Sequence, residues 1–162
     1  MSQRVPEPEF DELYRELILD HYRNPRHRQP LGKPDVVAEG YNPLCGDEVE
    51  LRLNFDNGTV SDISVHGRGC SISQASGSML TDVVLGKPVD EAKRLIELVQ
   101  EMLTDAGTEP PEELGDLEAL QGVAKFPVRV KCATLAWHTL GDGLKQREAG
   151  GHAARHEEVT NE

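Results

Sequence analysis

The sequence contains few aromatic residues, only three cysteines and no long apolar run. Aromatic residues make up 4% of the chain, too few to suggest a stacking platform for single-stranded nucleic acid. No segment approaches the roughly 20 apolar residues of a membrane helix, and the opening MSQRVPEPEF has no signal-peptide core. Three cysteines cannot all pair in internal disulfides, so the thiols are better explained as ligands or nucleophiles. We therefore expect a cytoplasmic protein with no membrane contact.

Positive charge is also scarce in this sequence. The chain has 17 Lys and Arg against 29 Asp and Glu, which gives a net charge of −12. Such a surface repels the phosphate backbone of nucleic acids and favours a protein partner instead. With 162 residues and a hydrophobic fraction of 37%, the chain is long enough for one domain with a hydrophobic core. We therefore look for one functional site.

The hydrophobic pattern predicts an α+β fold with a small antiparallel sheet. Residues 49–55 and 60–65 alternate between apolar and polar side chains, and Asn57-Gly58 supplies a turn between them. The pair predicts a hairpin with a bulge near Ser61, and residues 36–41 add a third, weaker strand. Other segments show helical spacing, so we expect a three-stranded sheet packed against several helices. The predicted helices start near Phe10, Ser71, Pro88 and Pro127.

Three segments lack this regularity and set the predicted domain limits. Residues 104–118 are rich in Asp and Glu and contain no Lys or Arg, so they are predicted to form a surface excursion. Residues 1–9 are predicted to be a flexible arm and residues 148–162 a flexible tail, which leaves a domain of residues 10–147. The tail contains His152 and His156, whose spacing suits a metal only on a helix, so we interpret them as ordinary polar residues.

The cysteines and one aspartate form the most informative pattern. Cys45 and Asp47 are two residues apart before a strand, so both side chains can point to the same side. Cys70 precedes the helix predicted to start with a capping box at residues 71–74, where the helix dipole favours a thiolate. Cys132 lies near the start of the last helix and can face inward. Three thiolates and one carboxylate suit tetrahedral Zn²⁺.

Spacing alone leaves more than one interpretation of these residues open. Free cysteines are often simply buried, and separations of 25 and 62 residues match no zinc-finger pattern. Gly46-Asp47 after a proline is also compatible with ordinary turn chemistry. His66 and His138 are alternative metal ligands, although histidines at such positions are more often satisfied by hydrogen bonds or exposed.

Three segments together resemble the NifU N-terminal, or IscU-like, family of iron–sulfur cluster assembly proteins. They are Asn42-Pro43-Leu44-Cys45-Gly46-Asp47, Gly67-Arg68-Gly69-Cys70-Ser71 and Phe126-Pro127-Val128-Arg129-Val130-Lys131-Cys132. The resemblance covers about residues 10–147 and implies a SufE/NifU/IscU-like fold. It also implies that zinc or a nascent cluster is bound by Cys45, Asp47, Cys70 and Cys132.

Within that family, the chain resembles the SufU branch more than the IscU scaffolds. A typical scaffold has a histidine immediately before its last cysteine, whereas this chain has Lys131, a poor metal ligand at neutral pH. The acidic segment at residues 104–118 is similar to the SufU insertion. Residues 126–129 differ from the Leu-Pro-Pro-Val-Lys segment that IscU proteins offer their dedicated chaperone, so that chaperone is not expected to bind.

The SufU resemblance implies a zinc-dependent sulfurtransferase that accepts sulfur from a SufS-type, PLP-dependent cysteine desulfurase. Downstream Suf scaffold proteins are further implied partners. Cys45 is expected to accept the sulfur because its loop can move at low cost, and Arg129 is expected to assist as a nearby cation. Two alternatives stay open: a scaffold that assembles a transient [2Fe–2S] cluster on the same ligands, and a purely structural zinc module.

Overall fold

The computed structural model describes residues 12–105 and 109–158 of the chain. The predicted flexible arm, residues 1–9, lies outside the described residues, and so do the last four residues of the predicted tail. Within the described part of the chain, no helix is both long and apolar enough to cross a membrane.

The described residues form α-helices and a 3₁₀ segment that is interrupted at Gly115. They are α1 (Glu12–Arg23), α2 (Ser71–Val84), α3 (Val89–Thr104), the 3₁₀ segment (Glu112–Lys125) and α4 (Pro127–Glu148). α1 ends immediately before Asn24-Pro25, the predicted stop, and α3 begins directly after Pro88. α4 starts with Pro127. Proline suits the first position of a helix because no N–H is needed there and because its fixed φ angle is already helical.

The strands form one sheet with the spatial order β3-β2-β1-β4. They are β1 (Val36–Asn42), β2 (Asp47–Asp56), β3 (Thr59–Arg68) and β4 (Ala153–Glu157). Asn57 and Gly58 join β2 to β3 with φ angles of 53° and 77°, the left-handed values that a type I′ turn requires. Phe55 pairs with Val60 and the next pair skips Ser61, so the predicted hairpin and its bulge are confirmed.

The predicted count of three strands is wrong, because β4 adds a fourth strand beside β1. α4 returns the chain to the start of β1, where the N–H of Val37 donates to the carbonyl of His152 at 2.8 Å. β4 then runs parallel to β1 through residues 153–157, part of the predicted tail. Its sequence, AARHE, lacks apolar alternation and its side chains are exposed or half-buried, so the hydrophobic pattern could not reveal it.

Helices cover one face of the sheet and form the core with it. Along β2, every second side chain is buried, namely Val49, Leu51 and Leu53, as the predicted alternation requires. α4 packs against β1, α2 and α3 and buries Trp137. One stripe of α4 is buried as well, including Cys132, which was predicted to face inward, and Leu135, Ala136, Thr139 and Leu140. The α+β class and its layer of helices are therefore confirmed.

The acidic segment before α4 contributes to the core, so the predicted surface excursion at residues 104–118 is wrong in part. Leu114, Leu117, Leu120 and Val123 are all fully buried. Gly115, with a φ of 54° and a ψ of −128°, interrupts the segment after Leu114. Beyond it, Leu117, Leu120 and Val123 recur at the three-residue period of a 3₁₀ helix and share one side, while the acidic side chains at 112, 113 and 116 remain exposed. The α-helical period of 3.6 residues does not fit this spacing, so the burial of these side chains was not predicted.

Candidate metal centre

The loop between β1 and β2 presents Cys45 and Asp47. Asn42 shapes this loop, because its Oδ1 accepts the N–H of Leu44 at 3.1 Å and its carbonyl accepts the N–H of Gly46 at 2.7 Å. Gly46 has a φ of 74°, which glycine adopts without a Cβ penalty. The turn leaves Cys45 exposed, whereas Asp47 is buried as the first residue of β2.

Cys70 lies at the N-terminus of α2 and caps it. Its sulfur accepts the N–H of Ser73 at 3.4 Å, so the predicted capping box at residues 71–74 is wrong by one residue. A sulfur atom takes the place of the usual side-chain oxygen, which the sequence rule for caps does not anticipate. The N–H of Cys70 donates to Oδ1 of Asp47 at 3.1 Å and thereby ties the helix start to β2.

Cys132 approaches the same place from α4. It is fully buried, and its sulfur lies 3.6 Å from the sulfur of Cys45. One ligand atom from each of Cys45, Asp47 and Cys132 lies within 4.8 Å of the other two. The sulfur of Cys70 is not part of this group, but Cys70 is joined to it through the bond of its backbone N–H to Asp47. Separate segments of the chain therefore place Cys45, Asp47 and Cys132 in one metal-sized group, with Cys70 next to it.

The thiols of this group differ in acidity. Hydrogen bonding from Cys132 lowers the pKa of Cys70 to about 7, with a further contribution from the Ser73 N–H, although burial opposes this shift. The pKa of Cys132 is raised, because its thiol shares that hydrogen bond and because it is buried. Of this pair, Cys70 is therefore the thiol that ionises more readily.

The hydrogen bonding of the Asp47 carboxylate shows whether a cation fits this site. Its Oδ1 accepts the Cys70 N–H, but its buried Oδ2 has no hydrogen-bond partner among the described residues. A buried carboxylate oxygen without a partner is unfavourable, and a metal ion would satisfy it. Three thiols and one carboxylate are a donor set that Zn²⁺ accepts in tetrahedral geometry. The residues therefore fit a zinc ion.

Basic side chains around the cysteines have different surroundings. Arg129 is half-buried in the first turn of α4, three residues before Cys132, and Lys131 is half-buried beside it. Arg68 forms an ion pair with Glu48, at 2.6 Å between Nε and Oε2, and most of its side chain is exposed. Arg129 is a candidate cation because it lies on the helical turn that leads to Cys132.

The two histidines considered as alternative ligands have other positions. His66 lies half-buried near the end of β3, and His138 belongs to a different group. Nδ1 of His138 lies 2.6 Å from Oε1 of Glu158, and His156 completes that second group. Sequence reasoning missed Glu158 because the group joins α4 to the end of β4, and no local spacing shows such a contact.

Comparison with known proteins extends the resemblance found in the three cysteine-containing segments. The chain matches the NifU-like N terminal domain over residues 13–133. It is 43% identical over 141 residues to the zinc-dependent sulfurtransferase SufU of Bacillus subtilis, covering 87% of this chain and 95% of that protein. It is 41% identical over 143 residues to the iron–sulfur cluster assembly scaffold protein IscU of Streptococcus pyogenes, covering 88% and 89%.

Solved structures show the same fold. A crystal structure from Fervidobacterium islandicum, described as an iron–sulfur cluster assembly scaffold protein for the SUF system, is 34% identical, with a TM-score of 0.73. The match covers 80% of this chain and 94% of that one. The N-terminal part of a NifU-like protein from Brucella abortus is 27% identical, with a TM-score of 0.78 and coverage of 86% and 96%. The chain therefore belongs to the NifU-like N-terminal domain family, with SufU- and IscU-type iron–sulfur cluster assembly proteins among its relatives.

Proposed function

We propose that the chain is a zinc-dependent sulfur acceptor for iron–sulfur cluster assembly. The observation that carries this proposal is the unequal exposure of two neighbouring thiols. Cys45 is exposed, whereas Cys132, with its sulfur 3.6 Å away, is fully buried. One accessible thiol on a loop can reach a partner protein while the buried residues hold the site. The Bacillus subtilis relative, named a zinc-dependent sulfurtransferase, supports the same role.

In this proposal, zinc is held by Cys45, Asp47, Cys70 and Cys132. When bound, zinc keeps the coordinating thiols deprotonated and tempers their reactivity. Asp47 would contribute its buried Oδ2, for which the described residues provide no hydrogen-bond partner. Cys70 stays fixed by its bond to the Ser73 N–H at the start of α2. These anchored side chains leave Cys45 as the member that can move.

Cys45 would receive sulfur from the persulfide of a SufS-type, PLP-dependent cysteine desulfurase. Its thiolate attacks the outer sulfur of that persulfide and forms a new S–S bond. The original S–S bond breaks, and the desulfurase cysteine leaves as a thiolate. The transferred sulfur keeps its proton, and one S–S bond replaces another, so the step requires no oxidant or reductant. Downstream Suf scaffold proteins in the cytoplasm, where thiols stay reduced, are the proposed recipients.

Arg129 is the proposed assisting cation for this transfer. A positive charge on the helical turn before Cys132 favours thiolates in the group and attracts an acidic partner surface. We expect Arg129→Ala to slow sulfur transfer while the zinc content stays unchanged, and Arg129→Lys to retain most of the rate. Wild-type transfer by the alanine variant would remove Arg129 from the proposal.

Cysteine desulfurase turnover, with and without this protein, is the measurement that tests the proposal. We expect strong stimulation by the zinc-loaded wild type and none by Cys45→Ala or Cys45→Ser. The serine variant is the matched control, because its hydroxyl keeps an oxygen ligand at the same position. If Cys45→Ser retains zinc but no longer stimulates the desulfurase, the stimulation depends on the sulfur atom of Cys45. Mass spectrometry should then locate the persulfide on Cys45 of the wild type.

Other outcomes of this experiment support the alternatives. No stimulation, combined with stable [2Fe–2S] binding on reconstitution, would favour the scaffold role that the Streptococcus pyogenes relative is named for. Unfolding after loss of any one ligand, without persulfide on Cys45, would favour a structural zinc module.

A further inference from the structure

A second group of metal-binding side chains lies between α4 and the C-terminal strand. His138 comes from α4, His156 from β4, and Glu158 directly follows β4. His138 lies six residues after Cys132 on α4, a rise of about 9 Å along the helix. Six residues also turn an α-helix by about 600°, so the two side chains leave α4 in directions about 120° apart, and the two groups have no residue in common. This second group is therefore separate from the cysteine site.

The three side chains already have nearly the spacing of a metal site. Oε1 of Glu158 lies 2.6 Å from Nδ1 of His138 and 3.3 Å from Nε2 of His156. One ligand atom from each residue lies within 4.8 Å of the other two. In a tetrahedral zinc site with bonds of about 2.0–2.1 Å, neighbouring ligand atoms are about 3.4 Å apart. Small side-chain movements would therefore admit an ion.

Asp142 orients His156 for metal binding. Its Oδ2 lies 2.9 Å from Nδ1 of His156, while Nε2 of the same ring faces Glu158. A carboxylate at Nδ1 holds a ring proton there, so that a metal can bind Nε2 in place of its hydrogen bond with Glu158. Metal-ligating histidines are held by partners of this kind, so Asp142 supplies the outer support that a built site needs.

The position of Glu158 is also fixed by its surroundings. Its backbone N–H donates to the carbonyl of Tyr41 at 2.9 Å, which extends the pairing of β4 with β1. Its side chain is only 7% exposed, and its Oε1 contacts a nitrogen of each imidazole ring. A buried carboxylate requires a cation or hydrogen-bond donors. The fold therefore holds the Glu158 carboxylate where an ion could contact it together with His138 and His156.

We propose that His138, His156 and Glu158 bind a divalent cation of the zinc type. Two imidazoles and one carboxylate are a ligand set used by zinc, with a fourth position left for water. The ion would cross-link β4 to α4 and fix the C-terminal strand at the edge of the sheet. This site does not depend on the sulfur-acceptor proposal, because none of its ligands belongs to the cysteine group.

The zinc content of the full chain tests this proposal. The protein is freed of metal with a chelator, reloaded with zinc and dialysed before the zinc bound per chain is measured. We expect two zinc ions per chain in the wild type and in His152→Ala, but one in His156→Ala. His152 is the matched control, because it lies just before β4, is exposed, and has its Nδ1 beside the carbonyl of Asp35.

Cobalt substitution distinguishes the two sites spectroscopically. Only the cysteine site gives a sulfur-to-cobalt charge-transfer band, because the second site has nitrogen and oxygen ligands. We expect one equivalent of cobalt to bind with this band and another to add visible absorption without it. The second component should disappear in His156→Ala. Asp142→Asn keeps all three ligands and should weaken binding at the second site by about 10- to 100-fold.

Two results would overturn the proposal. The first is a wild type that binds a single zinc ion, which is lost on substitution of the cysteines. The second is equal binding of a second ion by the wild type and His156→Ala. Either result would leave the group as a hydrogen-bonded contact between strand and helix. Both readouts are independent of desulfurase turnover, so a failure here leaves the sulfur-acceptor proposal untouched.

Discussion

Two glycines lie next to proposed zinc ligands, Gly46 between Cys45 and Asp47 and Gly69 before Cys70, but only Gly69 approaches the Asp47 carboxylate. A Cβ added to Gly69, which has a φ of 153°, would lie 2.2 Å from Oδ1 of Asp47. Gly46 also has a positive φ, of 74°, but a Cβ added there meets no atom within 4 Å. Any side chain at position 69 would therefore clash with the Asp47 carboxylate. At position 46, glycine is favoured only by the positive φ angle of the backbone.

This difference predicts unequal effects of alanine at the two glycines. Gly69→Ala should displace the Asp47 carboxylate and weaken zinc binding at the cysteine site by at least about tenfold, or about 1.4 kcal/mol. Gly46→Ala should carry only a backbone cost of about 1–2 kcal/mol in stability and keep near-wild-type zinc affinity. Competition against a zinc chelator measures both affinities. Equal affinities in the two variants would show that Asp47 does not contribute to binding.

The residues of the cysteine site could be predicted because their chemistry is unusual in this chain. The thiols of Cys45, Cys70 and Cys132 are the only ones present, and each lies in a distinctive segment. The capping of α2 by Cys70 was missed because sulfur takes the place of the usual side-chain oxygen. The bond of the Cys70 N–H to Asp47 was missed because it joins two separate elements. His138 was considered as a metal ligand, but its grouping with Glu158 could not be predicted, because it depends on the pairing of β4 with β1.

At the scale of elements, one buried histidine joins α1 to two other helical segments. Nδ1 of His21 lies 2.7 Å from Oγ of Ser78 on α2, and its Nε2 lies 3.0 Å from Oδ2 of Asp116 on the 3₁₀ segment. The backbone N–H of Arg26 donates to the same Ser78 hydroxyl at 2.9 Å. Serine, histidine and aspartate also form hydrolase triads, but His21 and Ser78 are fully buried here. The contact therefore serves packing, not catalysis.

We expect His21→Ala to lower the free energy of unfolding by about 2–4 kcal/mol. The substitution leaves the buried Ser78 hydroxyl with one partner fewer and creates a cavity between α1 and α2. Urea unfolding at fixed zinc loading measures the change. The exposed His152 provides the comparison, because His152→Ala should change stability by no more than about 0.5 kcal/mol. Equal stability of the two variants would mean that the His21 contact contributes nothing.

The elements that were predicted correctly have regular periods, and those that were missed do not. α1 and β2 show the helical and the alternating patterns over most of their lengths. The buried Leu114 and Leu117 lie in a strongly acidic segment that bends at Gly115, so neither charge nor a regular period indicated their burial. β4 is held by backbone pairing with β1 and has no fully buried side chain of its own, so its composition carried no signal.

At the scale of the whole molecule, the hydrophobic core is continuous and includes little of the cysteine site. Leu, Ile, Val, Ala and Met side chains from the sheet and all the helical segments form one cluster. Of the proposed zinc ligands, Cys132 is fully buried in that cluster, whereas Cys70 packs only at its margin. A core of this extent can stabilise a domain of this size without metal. Zinc should therefore organise the site more than the fold.

Zinc removal by a chelator is accordingly expected to leave the helices and a cooperative unfolding transition in place. The loss of stability should follow the free zinc concentration, since a ligand at about 100 times its Kd adds about 2.7 kcal/mol to the native state. Far-ultraviolet circular dichroism and urea unfolding, with and without chelator, measure both quantities. A chelated protein without a cooperative transition would contradict this expectation. The metal, not the core, would then supply the folding free energy, and the structural zinc module would become the better explanation of the site.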